Sequence, residues 1–202
     1  MTLAIGRLPM AMRHGPPPPP LRPGALAALL ALAVVLIAWM AQAESPVLHA
    51  LGSVRTAAGV AVSDGQRLAL AQAVEAVEDV GELAAALRGD ALDARLWLAA
   101  VAVEESGLRA DVAACATRGD GGRSWGWWQV HRPSSDERAA MCVGGAAGLA
   151  AQARAGLARA TQCARGGAWG ARGLAACYVG EDAAGARARA DRYALLRRAG
   201  GR

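Results

Sequence analysis

Downstream of residue 63, apolar residues recur at helical rather than strand intervals. Leu70, Val74, Val77 and Val80 fall three to four residues apart and line one helix face. Ser63-Asp64 suits the start of that helix and Arg88-Gly89 its stop, so the pattern predicts one helix over 64–87. Asp90 then offers an N-cap, with Asp93 in the first turn, where negative charge meets the positive end of the helix dipole. A second helix follows to about Ser106. Leu92, Leu96, Ala99 and Val103 form its stripe, with Trp97 and Val101 beside it. Gly107 suits the left-handed position after its end. Between 109 and 144 the periodicity fails, and glycines, Pro133, Cys115, Cys142 and a cluster of tryptophans take over. A loop that long inside a compact domain is usually functional. Helical patterns resume over 146–163, 168–179 and 181–199, the last arginine-rich and prone to fray. Residues 44–64 show no period and read as a linker.

Ahead of the linker lies an unbroken apolar run over 25–40, preceded by Arg7, Arg13 and Arg22 and by no acid. Ala41-Gln42-Ala43 follows, with the small-x-small form of a signal-peptidase site. Residues 1–43 are therefore read as a signal peptide, with the mature chain starting near Glu44. The alternative is an uncleaved anchor that ties the chain to the inner membrane through residues 25–43, basic side toward the cytoplasm. Both readings export the remainder, residues 65–202, as one domain that is periplasmic or extracellular.

Composition sharpens the fold class. The chain has no Phe and almost no Ile, whereas Ala, Leu and Arg abound. Strands favour β-branched and aromatic residues, so a mostly α domain is expected. The net charge of +5 favours polyanionic surroundings without choosing among cell wall, membrane surface and nucleic acid. Four cysteines, Cys115, Cys142, Cys163 and Cys177, include no close C-x-x-C pair, which speaks against a metal or redox site. In an exported chain they suit two disulfides. Three connectivities are possible, and Cys115–Cys142 with Cys163–Cys177 is favoured because each joins sequence neighbours.

Two segments carry candidate chemistry. Glu104 and Glu105 fall in the last turn of the second helix, at the negative end of its dipole, where carboxylates are unfavourable. That field raises a carboxyl pKa, as does partial burial, and a general acid needs a raised value. Glu105 lies on the face of Leu98 and Val101, where burial is expected. An isolated Glu-Glu pair taken alone reads as two solvated side chains. The second segment is Ser124-Trp125-Gly126-Trp127-Trp128-Gln129-Val130-His131. Indoles pack on the C–H faces of sugar rings, while Gln129 and His131 offer hydrogen bonds to hydroxyl or acetamido groups. The competing reading has the indoles filling a core short of aromatics. Both can hold, with Trp125 inward and Trp127 or Trp128 toward the groove.

Together these elements resemble the lysozyme-like domain of soluble lytic transglycosylases, within the goose-type lysozyme-like group. Glu105-Ser106-Gly107 matches that family's Glu-Ser-Gly at a helix end. Gly126-Trp127-Trp128-Gln129 stands at its Gly-Leu-Met-Gln, and Ala176-Cys177-Tyr178-Val179-Gly180 at its Ala-Tyr-Asn-Ala-Gly. The likeness covers about residues 85–195. Trp-Trp replaces Leu-Met, Val179 replaces the Asn, and the family's serine before the second motif falls to Thr117 or Ser124. The resemblance implies a lysozyme-like fold with long active-site loops, Glu105 as catalytic acid, and Gln129, His131 and Tyr178 on the substrate, with Trp127, Trp128 and Ser124 beside them. It implies a monomer without cofactor or metal that cleaves the MurNAc–GlcNAc bond of peptidoglycan. The outcome is either an anhydro-sugar or, if water attacks, hydrolysis. No well-placed second carboxylate is evident, since Asp111, Asp120 and Asp136 all fall in loops, and this favours the non-hydrolytic route. The alternatives are a non-catalytic wall-binding protein on the same fold and a basic nucleic-acid module, which the export segment disfavours.

Overall fold

A computed structural model describes residues 45–180 and 183–201. The signal peptide or anchor expected over 1–43 lies outside the described residues. Among the described residues no helix is long and apolar enough to cross a membrane.

The domain is mostly α. Its helices are α1 (Pro46–Ala50), α2 (Asp64–Glu75), α3 (Gly81–Leu87), α4 (Ala91–Ser106) and α5 (Ala110–Ala113). A two-stranded hairpin follows, β1 (Ser124–Trp125) and β2 (Val130–His131), and then α6 (Ser135–Met141), α7 (Gly145–Arg165), α8 (Gly170–Val179) and α9 (Ala183–Ala199).

The helix starts follow capping chemistry. Ser63 and Gln66 form a capping box on α2, Asp90 and Asp93 on α4, and Ser134 and Glu137 on α6. The helix expected over 64–87 is two: α2 ends at Glu75, and Asp79, at φ +56°, turns the chain into α3. Val77 and Val80 keep the helical spacing through the break because both still face the core. The linker expected over 44–64 is also corrected. Ser45 caps α1, Val47, Ala50, Leu51, Val54 and Val62 are buried, and α1 packs on α2, α4 and α9.

Helix α4 is the central element. Leu96 through Val103 are fully buried on every side, so the stripe read from the sequence is part of a wholly enclosed helix. Helices α3 and α9 pack along it and α7 crosses it, while α8 packs on α9. Two glycines permit the closest approaches. Gly126 stands at φ +69°, and a Cβ there would lie 2.6 Å from the Gln152 amide. A Cβ on Gly156 of α7 would lie 2.6 Å from the Trp128 ring. Both expected disulfides are present: Cys115–Cys142 and Cys163–Cys177, with Cα separations of 5.6 and 5.8 Å. Such bonds suit an oxidising compartment.

Candidate functional site

Gly107, at φ +58°, ends α4 in the left-handed conformation and leaves Glu104 and Glu105 in the last turn. Neither is freely exposed. Glu105 is 14% exposed and Glu104 only 6%. Each meets an arginine of α9: Arg189 with Glu105 at 2.7 Å, Arg192 with Glu104 at 2.7 Å. The two acids nevertheless differ, because Glu105 alone lines a cleft.

That cleft has a volume of ≈ 550 Å³ and brings together Glu105, Gln129, His131 and Tyr178 with Asp120 and Ser124. The hairpin supplies one wall. Ser124 and His131 are register partners, so their side chains share a face. Ser124 Oγ donates to Asp120 Oδ2 at 2.5 Å, and His131 Nδ1 lies 3.4 Å from Ser124 Oγ. Gln129, at φ +45°, donates from Nε2 to the Gly126 carbonyl at 2.8 Å, which fixes its amide across the turn. The end of α8 supplies Tyr178, Val179 and Gly180, while Arg159 of α7 and Arg189 of α9 complete the lining. Burial pushes the Glu105 carboxyl above its ordinary value. The Arg189 guanidinium opposes that rise, and the charges of Asp120 and Glu104 reinforce it. A buried carboxyl that holds its proton at raised pH, beside hydrogen-bonding groups in an open cleft, is equipped for proton transfer to a bound ligand.

Three expectations about this site are corrected. Trp127 and Trp128 do not face the groove: they are 3% and 0% exposed. Trp127 Nε1 donates to the Arg109 carbonyl at 2.9 Å and Trp128 Nε1 to the Leu98 carbonyl at 3.0 Å. A core without Phe takes these indoles as its bulk and satisfies their N–H groups on backbone. Trp125 is the outer one, with the Arg118 guanidinium 3.9 Å above its ring. Second, the Tyr178 hydroxyl does not point at a ligand. It donates to the Trp128 carbonyl at 2.9 Å, and the ring packs edge-on against Trp97. Third, a second carboxylate does reach the cleft, because Asp120 sits in the turn that leads into β1.

The sequence reading missed Arg159, Arg189 and Gln152. Gln152 is fully buried. Its Oε1 accepts from the Trp127 N–H at 2.9 Å, and its Nε2 donates to the Ala113 and Met141 carbonyls at 2.8 and 2.9 Å. The one signal for it was an amide among the small and apolar residues in the first half of an alanine-rich helix. Among the described residues no cluster of His, Cys, Asp or Glu is arranged to hold a metal ion.

No family model, curated protein or solved structure matches this chain.

Proposed function

We propose that this chain is an exported lytic transglycosylase that cleaves the MurNAc–GlcNAc β-1,4 bond of peptidoglycan. One observation carries the reading: Glu105, desolvated at a capped helix end, opens into the same polar cleft as Gln129 and His131. Protonated Glu105 gives its proton to the leaving glycosidic oxygen. The acetamido oxygen of the substrate traps the cationic carbon, one of the exceptions to the two-carboxylate scheme. Glu105, now a carboxylate, takes a proton from the sugar's own hydroxyl, which closes the anhydro ring. Gln129, His131 and Ser124 offer hydrogen bonds to the strand, and the edge of Tyr178 forms an apolar border. The export pattern and the disulfides support a site of action outside the cytoplasm, with the glycan strand as partner.

Asp120 favours a second reading, a hydrolytic lysozyme, because a carboxylate in the cleft can orient an attacking water. Purified peptidoglycan incubated with wild type and with Glu105→Gln tests both. Wild type is expected to release products one water lighter than hydrolytic ones, and Glu105→Gln to be slower by about 10²-fold or more. Full-mass products would move the assignment to the lysozyme. Equal rates in both proteins would remove Glu105 from the chemistry, and binding without turnover would leave a wall-binding protein.

A further inference from the structure

Arg189 reaches Glu105 side-on. Its Nε and Nη2 lie 3.0 and 2.7 Å from the same oxygen, Oε1, while its Nη1 donates to the Gly185 carbonyl at 2.7 Å. The guanidinium is thus fixed at one end by its own helix and at the other by one carboxylate oxygen. Oε2 accepts no hydrogen bond among the described residues. In the neighbouring pair Arg192 Nε donates to Glu104 Oε1 at 2.7 Å, and neither residue belongs to the cleft lining.

We propose that Arg189 is a positioning residue that divides the Glu105 carboxyl into two roles: Oε1 is held by the guanidinium, and Oε2 is the oxygen that exchanges its proton with the substrate. A carboxyl free to spin about its last torsion would offer either oxygen, and half of its orientations would be unproductive. Fixing Oε1 removes that freedom and keeps the carboxyl in the cleft wall. The pair does not have to break during the reaction. A proton on Oε2 leaves Oε1 as a carbonyl oxygen, still an acceptor for the Arg189 Nε–H. The other charged or titratable groups around Glu105 are Glu104 on its own helix, Asp120 before β1 and Tyr178 on α8, with His131 and Arg159 farther along the same cleft. Among the described residues none of these donates a hydrogen bond to Glu105.

The catalytic half of this proposal rests on the function proposed above, and the positioning half can be read without turnover. The experiment compares wild type, Arg189→Gln, Arg189→Lys and Arg192→Ala. Carbon NMR follows the Glu105 carboxyl against pH, its signal assigned by its loss in Glu105→Gln, and kcat/KM on purified peptidoglycan is measured over the same range. Arg189→Gln is expected to raise the Glu105 midpoint by about one pH unit, since an opposing positive charge is gone. The alkaline limb of kcat/KM, which reports the free enzyme's acid, should rise with it, while kcat falls about tenfold or more. Arg189→Lys keeps the charge and should hold the midpoint, yet lose kcat because the side-on fork is gone. Arg192→Ala should leave both the midpoint and the limb in place. An unmoved midpoint in Arg189→Gln, an equal shift in Arg192→Ala, or full kcat in both Arg189 variants would overturn the proposal. A shifted midpoint in a protein whose wild type never cleaves the wall would refute the catalytic reading alone.

Discussion

At the scale of single residues, the two adjacent acids show how an unfavourable local choice is offset from far away. The helix dipole disfavours both carboxylates, and the sequence makes that cost visible. The compensation is invisible there, because Arg189 and Arg192 lie 84 and 88 residues along the chain. Each pair is largely desolvated, and removal of one partner from a buried pair typically costs about 3 kcal/mol. Arg192→Ala is therefore expected to lower the unfolding free energy, measured in urea, by an amount of that order. Asp120 gives a prediction of the opposite sign to that for Arg189. Its negative charge helps to keep Glu105 protonated, so Asp120→Asn lets Glu105 ionise at lower pH. The alkaline limb of activity should then move down. The shift should be smaller than that for Arg189→Gln, because Asp120 is 64% exposed and its field is screened. A pH–rate profile of the variant checks both sign and size.

At the scale of elements, the sequence was most legible where capping and period agree. Asp90, Asp93 and Gly107 bracket α4 as expected, and Ser63 starts α2. It was least legible where burial continues through a break: Val77 and Val80 remain in the core while Asp79 reverses the backbone. Five residues of α1 are too few to display a period, so a packed segment resembled a linker. The tryptophan turn was found, but its orientation was not, since the inward side depends on which carbonyls of α4 and the Arg109 loop lie behind it. Packing in that region gives two expectations. Gly156→Ala places a methyl group against the buried Trp128 ring and should cost about 2 kcal/mol. Gln152→Ala orphans one N–H and two carbonyls beneath the hairpin and should cost about 3 kcal/mol. Chemical denaturation of each variant gives the numbers.

At the scale of the whole molecule, all four cysteines follow the candidate acid in sequence, and their bonds cross-link the elements that come after it. Cys115–Cys142 ties the loop after α5 to the end of α6, and Cys163–Cys177 ties α7 to α8. Loops of these lengths stabilise by about 3 kcal/mol each on the chain-entropy model. Replacement of Cys163 and Cys177 by Ala should lower the unfolding free energy by that amount, measured in urea without reductant. The pairs between α4 and α9 have a different consequence, for alignment. Glu104 and Glu105 diverge by about 100° around one axis, while Arg189 and Arg192 stand three residues apart on the other. Two pins set at an angle fix both the rotation and the axial height of one rod against another. A single residue inserted between Arg189 and Arg192 would swing one guanidinium through about 100°, so α9 could then engage only one of its two pins.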